Sequence, residues 1–361
     1  MTKANPTNEK NASVQLAHGS GGTAMQALIR EVFASAFSDL QLEDAASISL
    51  EGSGSSNEDT QVSISTDSYV VQPLFFPGGD IGRIAVCGTV NDVATSGARP
   101  LCISTSFIIE EGFCLDTLKQ IVSSMAETAK EAQVQIVTGD TKVVGKGQAD
   151  GVFINTTGLG QLKKGQSPLL AENIQAGDLI LLSGSLGDHG MCIMSQREEL
   201  SFAADLASDA APLNHMMNAV LAAAPNTRCF RDPTRGGLAS TLNELADAAE
   251  LCIEIEEAAV PVKDVVRGAC EMLGYDVFQV ANEGKIVAVV AADEAEAALK
   301  AMQADPYGKD ATIIGKVEQP TDSSDGASSL TQGNFKVQLR NAFGARRVMD
   351  VLTGEQLPRI C

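Results

Sequence analysis

Apolar positions in this chain recur by turns at helical and at alternating spacing, and the switches between the two mark its elements. After the small-residue run Ala17-His18-Gly19-Ser20-Gly21-Gly22, Leu28, Ile29, Val32, Phe33 and Phe37 repeat as on one face of a helix. Glu51 to Thr60 is a polar connection rich in glycine and serine. Val62 and Ile64 alternate with polar neighbours, which predicts a strand ending at Thr66-Asp67-Ser68; Tyr69 to Phe76 predicts a second, closed by Pro77-Gly78-Gly79. A helix is expected over 81–97, weakened by Gly88, then a strand over 101–109. Leu118, Ile121, Val122, Met125 and Ala129 define an amphipathic helix from Leu115 to Ala132. Short strands follow at 134–138, running into Gly139-Asp140-Thr141-Lys142, and at 151–160.

Gln161 to Gly177 is the expected domain boundary. Beyond it a buried strand, 178–183, leads into the loop Gly187-Asp188-His189-Gly190. Helices are expected near 212–223, 236–250, 262–273 and 293–303, and strands near 252–256, 285–291 and 311–317. Gln319 to Gly333 is a polar insertion, and 335–339 and 346–352 are closing strands. Strands and helices alternate throughout, so the fold class is α/β (α+β), with two layers in each half. The organisation expected is a disordered extension over 1–13, an N-terminal domain over 14–162, a C-terminal α/β domain over 170–352 and a mobile tail over 353–361.

Composition narrows the function. The formal net charge is −20 over 361 residues. Such a field repels nucleic acid and anionic membrane surfaces, so neither is an expected partner, and nucleotide phosphates would need cations as intermediaries. Residues 1–13 lack the apolar core of a signal peptide, and no apolar run is long enough to span a bilayer. Eight scattered cysteines, with no C-x-x-C pair, suit a reducing, cytoplasmic setting.

Four aspartates stand where strands or helices meet small residues: Asp67, Asp92, Asp140 and Asp232. Singly, each reads as a cap or turn residue. As a set they suggest carboxylates for a hard cation beside phosphate. His18-Gly19-Ser20-Gly21-Gly22 before a helix is either a flexible hinge or a set of backbone N–H groups for phosphate. Thr234-Arg235-Gly236-Gly237 carries the same ambiguity, with Arg235 as a phosphate fork. Lys142 and Glu283 lie at strand edges, where they are surface ion-pair partners or, if one cleft holds both, proton-transfer groups. His215 reads as structural, and His189 beside Asp188 in a glycine-flanked loop is of slightly more interest.

The chain closes on Pro358-Arg359-Ile360-Cys361. Nine extended residues from Thr353 could carry the sulfur roughly 30 Å. A prenylation signal is excluded, because that requires cysteine fourth from the end. The neighbouring α-carboxylate disfavours thiolate, so Cys361 suits a carrier residue that is modified elsewhere.

Together, Gln15 to Gly22, Ser65 to Tyr69, Val137 to Val144, Arg231 to Gly237 and the terminal tetrapeptide resemble the hydrogenase maturation carbamoyl dehydratases, the HypE family. Several of these motifs are shared with aminoimidazole ribonucleotide synthetase, selenophosphate synthetase and thiamine-monophosphate kinase. The resemblance implies two α/β domains, a homodimer formed through the N-terminal sheet, and ATP with Mg²⁺ in a cleft. It implies that a carbamoyltransferase, HypF, loads Cys361, that ATP drives dehydration of the carbamoyl group to a thiocyanate, and that a HypC–HypD iron scaffold receives the cyanide. By the same resemblance Asp67, Asp92 and Asp140 are metal-site positions, and Lys142 and Glu283 stand near the entering tail as base and orienting group, in an order left open. Two rivals remain: another ATP-dependent synthetase such as selenophosphate synthetase, which carries its reactive residue near the N-terminus, whereas no cysteine here precedes Cys87; and a non-catalytic maturation scaffold.

Overall fold

A computed structural model describes residues 13–37, 39–50, 60–198, 206–320, 337–352, 354, 357 and 359–361. The N-terminal extension through residue 12, the connection 51–59 and the polar insertion from residue 321 lie outside the described residues.

The first half is a five-stranded sheet with helices on one side. In chain order come α1 (Thr23–Leu28), β1 (Ala46–Leu50), β2 (Thr60–Tyr69), the short β3 (Phe75–Phe76) and β4 (Gly79–Asp80), and α2 (Ile81–Thr95). Then follow β5 (Arg99–Glu110), α3 (Leu115–Ala132), β6 (Gln135–Val144) and β7 (Val152–Gln161). The sheet order is β1-β2-β7-β5-β6, with β5 and β6 parallel across the α3 crossover and the other pairs antiparallel.

α2 anchors this half. The Asp80 carboxylate caps it, accepting from the N–H groups of Gly82 (2.7 Å) and Arg83 (3.1 Å). It is buried nearly all round, through Ile81, Ile84, Val86, Val90 and Val93. Gly88 does not weaken it: a Cβ there would collide with the Tyr69 hydroxyl, so glycine permits the close packing. α2 also ties the halves together, since Asn91 donates to the Ala211 carbonyl (3.0 Å) and accepts from Leu213 N–H (2.7 Å).

The second half contains β8 (Leu179–Leu182), α4 (Asp188–Arg197), α5 (Asn214–Ala223), β9 (Thr227–Arg231), α6 (Gly237–Ala249), β10 (Cys252–Glu256) and α7 (Asp264–Leu273). It ends with β11 (Val287–Val290), α8 (Ala295–Gln303), β12 (Thr312–Glu318), β13 (Val337–Arg340) and β14 (Arg346–Val348). These build a seven-stranded sheet, β14-β13-β10-β12-β8-β11-β9. The run Val287–Val290 is wholly buried, as a central strand between layers requires. The architecture is the expected mixed α/β.

Several local expectations change. The strand expected over 69–76 is not continuous: β2 stops at Tyr69, and only Phe75–Phe76 pairs again. The strand expected to end at Thr138 runs through Gly139-Asp140-Thr141-Lys142 to Val144, because β5 offers a parallel partner along that length. Gly187-Asp188-His189-Gly190 opens α4 rather than forming a loop, with Gly187 at φ +82° as its N-cap. The helix after the glycine run lasts six residues and widens into a π-helical stretch, Ile29–Ala34.

Candidate active site

Six sequence-predicted groups converge on one cleft of about 750 Å³. Asp67 comes from the end of β2, Asp92 from α2 and Asp232 from the turn after β9. Arg235 stands before α6, Glu283 before β11, and Cys361 arrives from the tail. Asn282 fixes two of these approaches. Its N–H and side-chain amide both donate to the Pro233 carbonyl (3.1 and 2.9 Å), which locks the loop of Glu283 against the turn of Asp232.

The two glycine motifs, more than 200 residues apart in sequence, pack against each other beside this cleft. Gly21 (φ +78°) lies so close to Arg235 that a Cβ would fall 2.5 Å from its carbonyl carbon. Ser240, in the first turn of α6, donates to the Gly21 carbonyl at 2.9 Å. Gly19 has open space around it, Ser20 bonds back to the Ala17 carbonyl (2.8 Å), and His18 pairs with the backbone of Gln15. Gly22 is pressed against the Leu352 carbonyl. Of this run, Gly21 lines a smaller adjoining cavity of about 170 Å³ shared with Asp44, Asp232 and Arg235, and none of the five residues lines the larger cleft. Ile29, Phe33, Phe37, Leu40 and Leu42 line the opposite wall and make it apolar.

The electrostatics follow from crowding carboxyls in a confined space. Burial and the charges of Asp232, Asp44 and Asp67 push Asp92 well above the usual carboxylate range, although Ser65 donates to it at 2.8 Å. Asp232 is pushed up to about 8, first by burial and then by Asp44, against the pull of Arg231. Burial raises Asp67 and outweighs the opposing Arg235 charge. Glu283, 4% exposed, is raised most by burial and then by Asp67 and Asp232, and its Oε1 has no hydrogen-bond partner. Cys361 is 8% exposed; burial drives its thiol far above the ordinary range, against Arg235. At neutral pH the sulfur is therefore a thiol and not a standing nucleophile, as its position beside the α-carboxylate suggested.

Asp140 and Lys142 do not line this cleft. They lie on the edge strand β6, paired with each other at 2.7 Å, with side chains 60% and 68% exposed. Lys142 holds Asp140 below the usual carboxylate range. The expected grouping of Asp140 with Asp67 and Asp92, and of Lys142 with Glu283, is corrected to that extent. Among the described residues no cluster of three or more candidate ligands is arranged to hold a metal. The remaining chemistry does fit a cation beside phosphate, since Asp67, Asp92 and Asp232 repel one another and share an unneutralised excess of carboxylate.

Some neighbours of the site have roles that the sequence does not assign. Arg231 is buried in an ion pair with Glu43 (2.7 Å) and Asp44 (2.6 Å), which ties the cleft wall together. The adjacent acidic pair Glu43-Asp44 was its visible trace. Asp209 and Lys285 form a second buried ion pair (3.0 Å), and Asp209 also accepts from Glu283 N–H (3.1 Å).

Comparison with known proteins gives the family. Residues 42–162 match the N-terminal domain, and residues 175–325 the C-terminal domain, of the AIR synthase related protein family. The chain is 50% identical over 355 residues to the carbamoyl dehydratase HypE of Azotobacter vinelandii, covering 98% of both chains. It is 46% identical over 352 residues to that of Escherichia coli K12, covering 97% of this chain and 99% of that one. The chain belongs to the carbamoyl dehydratase HypE family. Its fold superposes on a HypE–HypF complex with TM-score 0.80 (46% identity, 90% of this chain, all of that one). It also superposes on a HypE in complex with ATP with TM-score 0.78 (44% identity, 97% of this chain, all of that one). A thiamine-monophosphate kinase relative at 16% identity and TM-score 0.64 shares the fold alone. Family membership sets aside the selenophosphate synthetase and scaffold readings.

Proposed function

We propose that this chain is an ATP-dependent carbamoyl dehydratase acting on its own Cys361, converting an S-carbamoyl group to an S-cyanate. The observation that carries this reading is the burial of Cys361 in a cleft with Glu283, Arg235, Asp67 and Asp92. Buried among carboxyls, an unmodified cysteine would be inert; as the bearer of a carbamoyl group it is placed for chemistry.

The carbamoyl oxygen attacks the γ-phosphorus of ATP, ADP leaves, the nitrogen gives up one of its two protons, and an imidate phosphate forms on the sulfur-bound carbon. Loss of the remaining N–H proton expels phosphate and leaves the S–C≡N group. Glu283 suits removal of that proton in its ionised form: burial raises its pKa, so the carboxylate, once ionised, is a stronger base than an ordinary one, and its Oε1 has no partner. Arg235 offers a fork for phosphate oxygens. Asp67 and Asp92, with Asp232 behind them, would hold Mg²⁺, which when bound offsets charge on the phosphates. Ile29, Phe33 and Phe37 provide apolar surface for the base of ATP, and the Gly21 turn, which lines the smaller adjoining cavity, would let phosphate approach the backbone. Burial of the cysteine excludes the water that would hydrolyse the activated intermediate.

Asp140 and Lys142 enter this scheme through a homodimer. β6 is an exposed edge strand of ten residues, and Val143 (68% exposed), Val137 and Ile136 stand unburied beside Ile108 and Leu159 of the same sheet. Such an edge calls for a second copy of the chain. In that arrangement Asp140 and Lys142 would be presented to the cleft of the other protomer, where Lys142 orients phosphate or takes part in proton removal. The partners we infer are a HypF-type carbamoyltransferase and a HypC–HypD-type iron scaffold, in the cytoplasm, where eight unpaired thiols would persist. We place the domain boundary between 162 and 170, with the tail from 353. Mass spectrometry of the C-terminal peptide after incubation with carbamoyltransferase, carbamoyl phosphate and ATP tests the reading. A carbamoyl adduct that converts to a cyano adduct is expected; a carbamoyl adduct that persists with ATP would refute it.

A further inference from the structure

The tail is held by side chains, through the Arg359–Asp150 ion pair (2.5 Å) and the buried Ile360, and also by its backbone. Three consecutive carbonyls each accept one hydrogen bond: Arg359 from Arg197 (2.5 Å), Ile360 from His189 (2.8 Å) and Cys361 from Val70 N–H (3.0 Å). Arg359 donates in turn to the Val70 carbonyl (3.0 Å). Neither His189 nor Arg197 lines the cleft that holds the sulfur, so neither touches the reacting group.

His189 is fully buried in the first turn of α4, edge-on to Phe76 with ring centroids 5.5 Å apart. Its tautomer follows from its partners. A carbonyl can only accept, so Nε2 carries the proton toward Ile360. Nδ1 must then accept, and it lies 2.8 Å from the Ser208 hydroxyl. The Ser208 oxygen accepts from Ala210 N–H at 3.1 Å, which leaves its own O–H free to donate to Nδ1. Burial lowers the His189 pKa, consistent with the neutral ring that this chain of bonds needs.

We propose that His189 is a positioning residue for the docked tail: the Ser208–His189–Ile360 relay fixes one tautomer and thereby holds Cys361 inside the cleft. The inference rests on the functional reading for its purpose, but its test does not. In the full-length protein, without ATP or carbamoyltransferase, the rate at which a maleimide alkylates Cys361 is read by mass spectrometry of the C-terminal peptide, with exposed Cys114 as internal control. His189→Leu, which keeps the bulk and removes both ring nitrogens, should raise the Cys361 rate by about tenfold, the upper range for one neutral hydrogen bond. His189→Gln, which restores an amide donor, should stay within about threefold of wild type. Ser208→Ala, which frees the tautomer but keeps the ring, should give an intermediate rise and remains informative if His189→Leu fails to fold. An unchanged rate in Ser208→Ala and His189→Leu, or an equal rise in His189→Gln and His189→Leu, would overturn the proposal. So would wild-type Cys361 reacting as fast as Cys114.

Discussion

Asp140 and Asp232 look alike along the chain, each beside glycine or proline and a basic neighbour, yet they meet opposite surroundings. Asp140 stands on an open edge strand, bonded to Lys142 and held below the usual carboxylate range. Asp232 sits in a crowded cleft and is pushed up to about 8. Residue type is the same; burial and the sign of the dominant neighbouring charge set the difference. The cleft is therefore short of positive charge, whereas the edge is electrically settled but lacks a covering partner. Complementing one with the other is what dimerisation would achieve.

The largest effect should come from the cleft. Cys361→Ala should abolish cyano-product formation while leaving the circular dichroism spectrum and ATP binding near wild type; lost nucleotide affinity would mean that the tail is part of the nucleotide site. Glu283→Gln should slow conversion of a preloaded carbamoyl group by about 10²–10⁴-fold in single turnover, the usual worth of a general base. A loss below tenfold would move that role elsewhere.

The edge offers a sharper test. Lys142→Ala and Glu283→Gln chains should each be inactive as homodimers, yet refolded together they should recover about a quarter of wild-type activity. Half of the random dimers are then mixed, and each mixed dimer has one intact site of two. No recovery would place Lys142 in its own protomer's cleft. Asp140→Asn should weaken Mg–ATP binding by about tenfold by calorimetry, a typical value for one ligand's surroundings; unchanged affinity would remove Asp140 from the site.

The smallest effect concerns stability. Asp232 holds its proton in the folded chain at pH values where the unfolded chain has released it. The unfolded state thus binds fewer protons, and stability falls as pH rises from about 4 to about 8, then levels. In the ligand-free protein, Asp232→Asn should flatten that fall, reducing the drop in Tm between pH 6 and 8 by about 2–4 °C in a thermal melt. An identical slope would show that the carboxyl is already ionised.

Legibility in the sequence varied with the kind of signal. α3 was readable at both ends, because five apolar residues repeat on one face. β9 escaped, being five residues squeezed between Pro225 and Pro233. The pattern ends β6 at Thr138, where Gly139-Asp140-Thr141 reads as a turn, and only the long partner β5 carries the strand through it. The convergence of Asp67, Asp92, Asp232 and Glu283 could not be read from spacing, since folding alone joins segments up to some two hundred residues apart; it came from motif resemblance. His189 could not be assigned at all, because its partner Ile360 lies 171 positions away.

The docked tail has a kinetic consequence for whatever enzyme modifies it. A loading enzyme can engage only those molecules whose terminus has swung outward, so its apparent affinity is reduced by that fraction. Weakening the clasp at α4 would make the cysteine easier to load but slower to process, and the best strength is the one that balances the two waiting times.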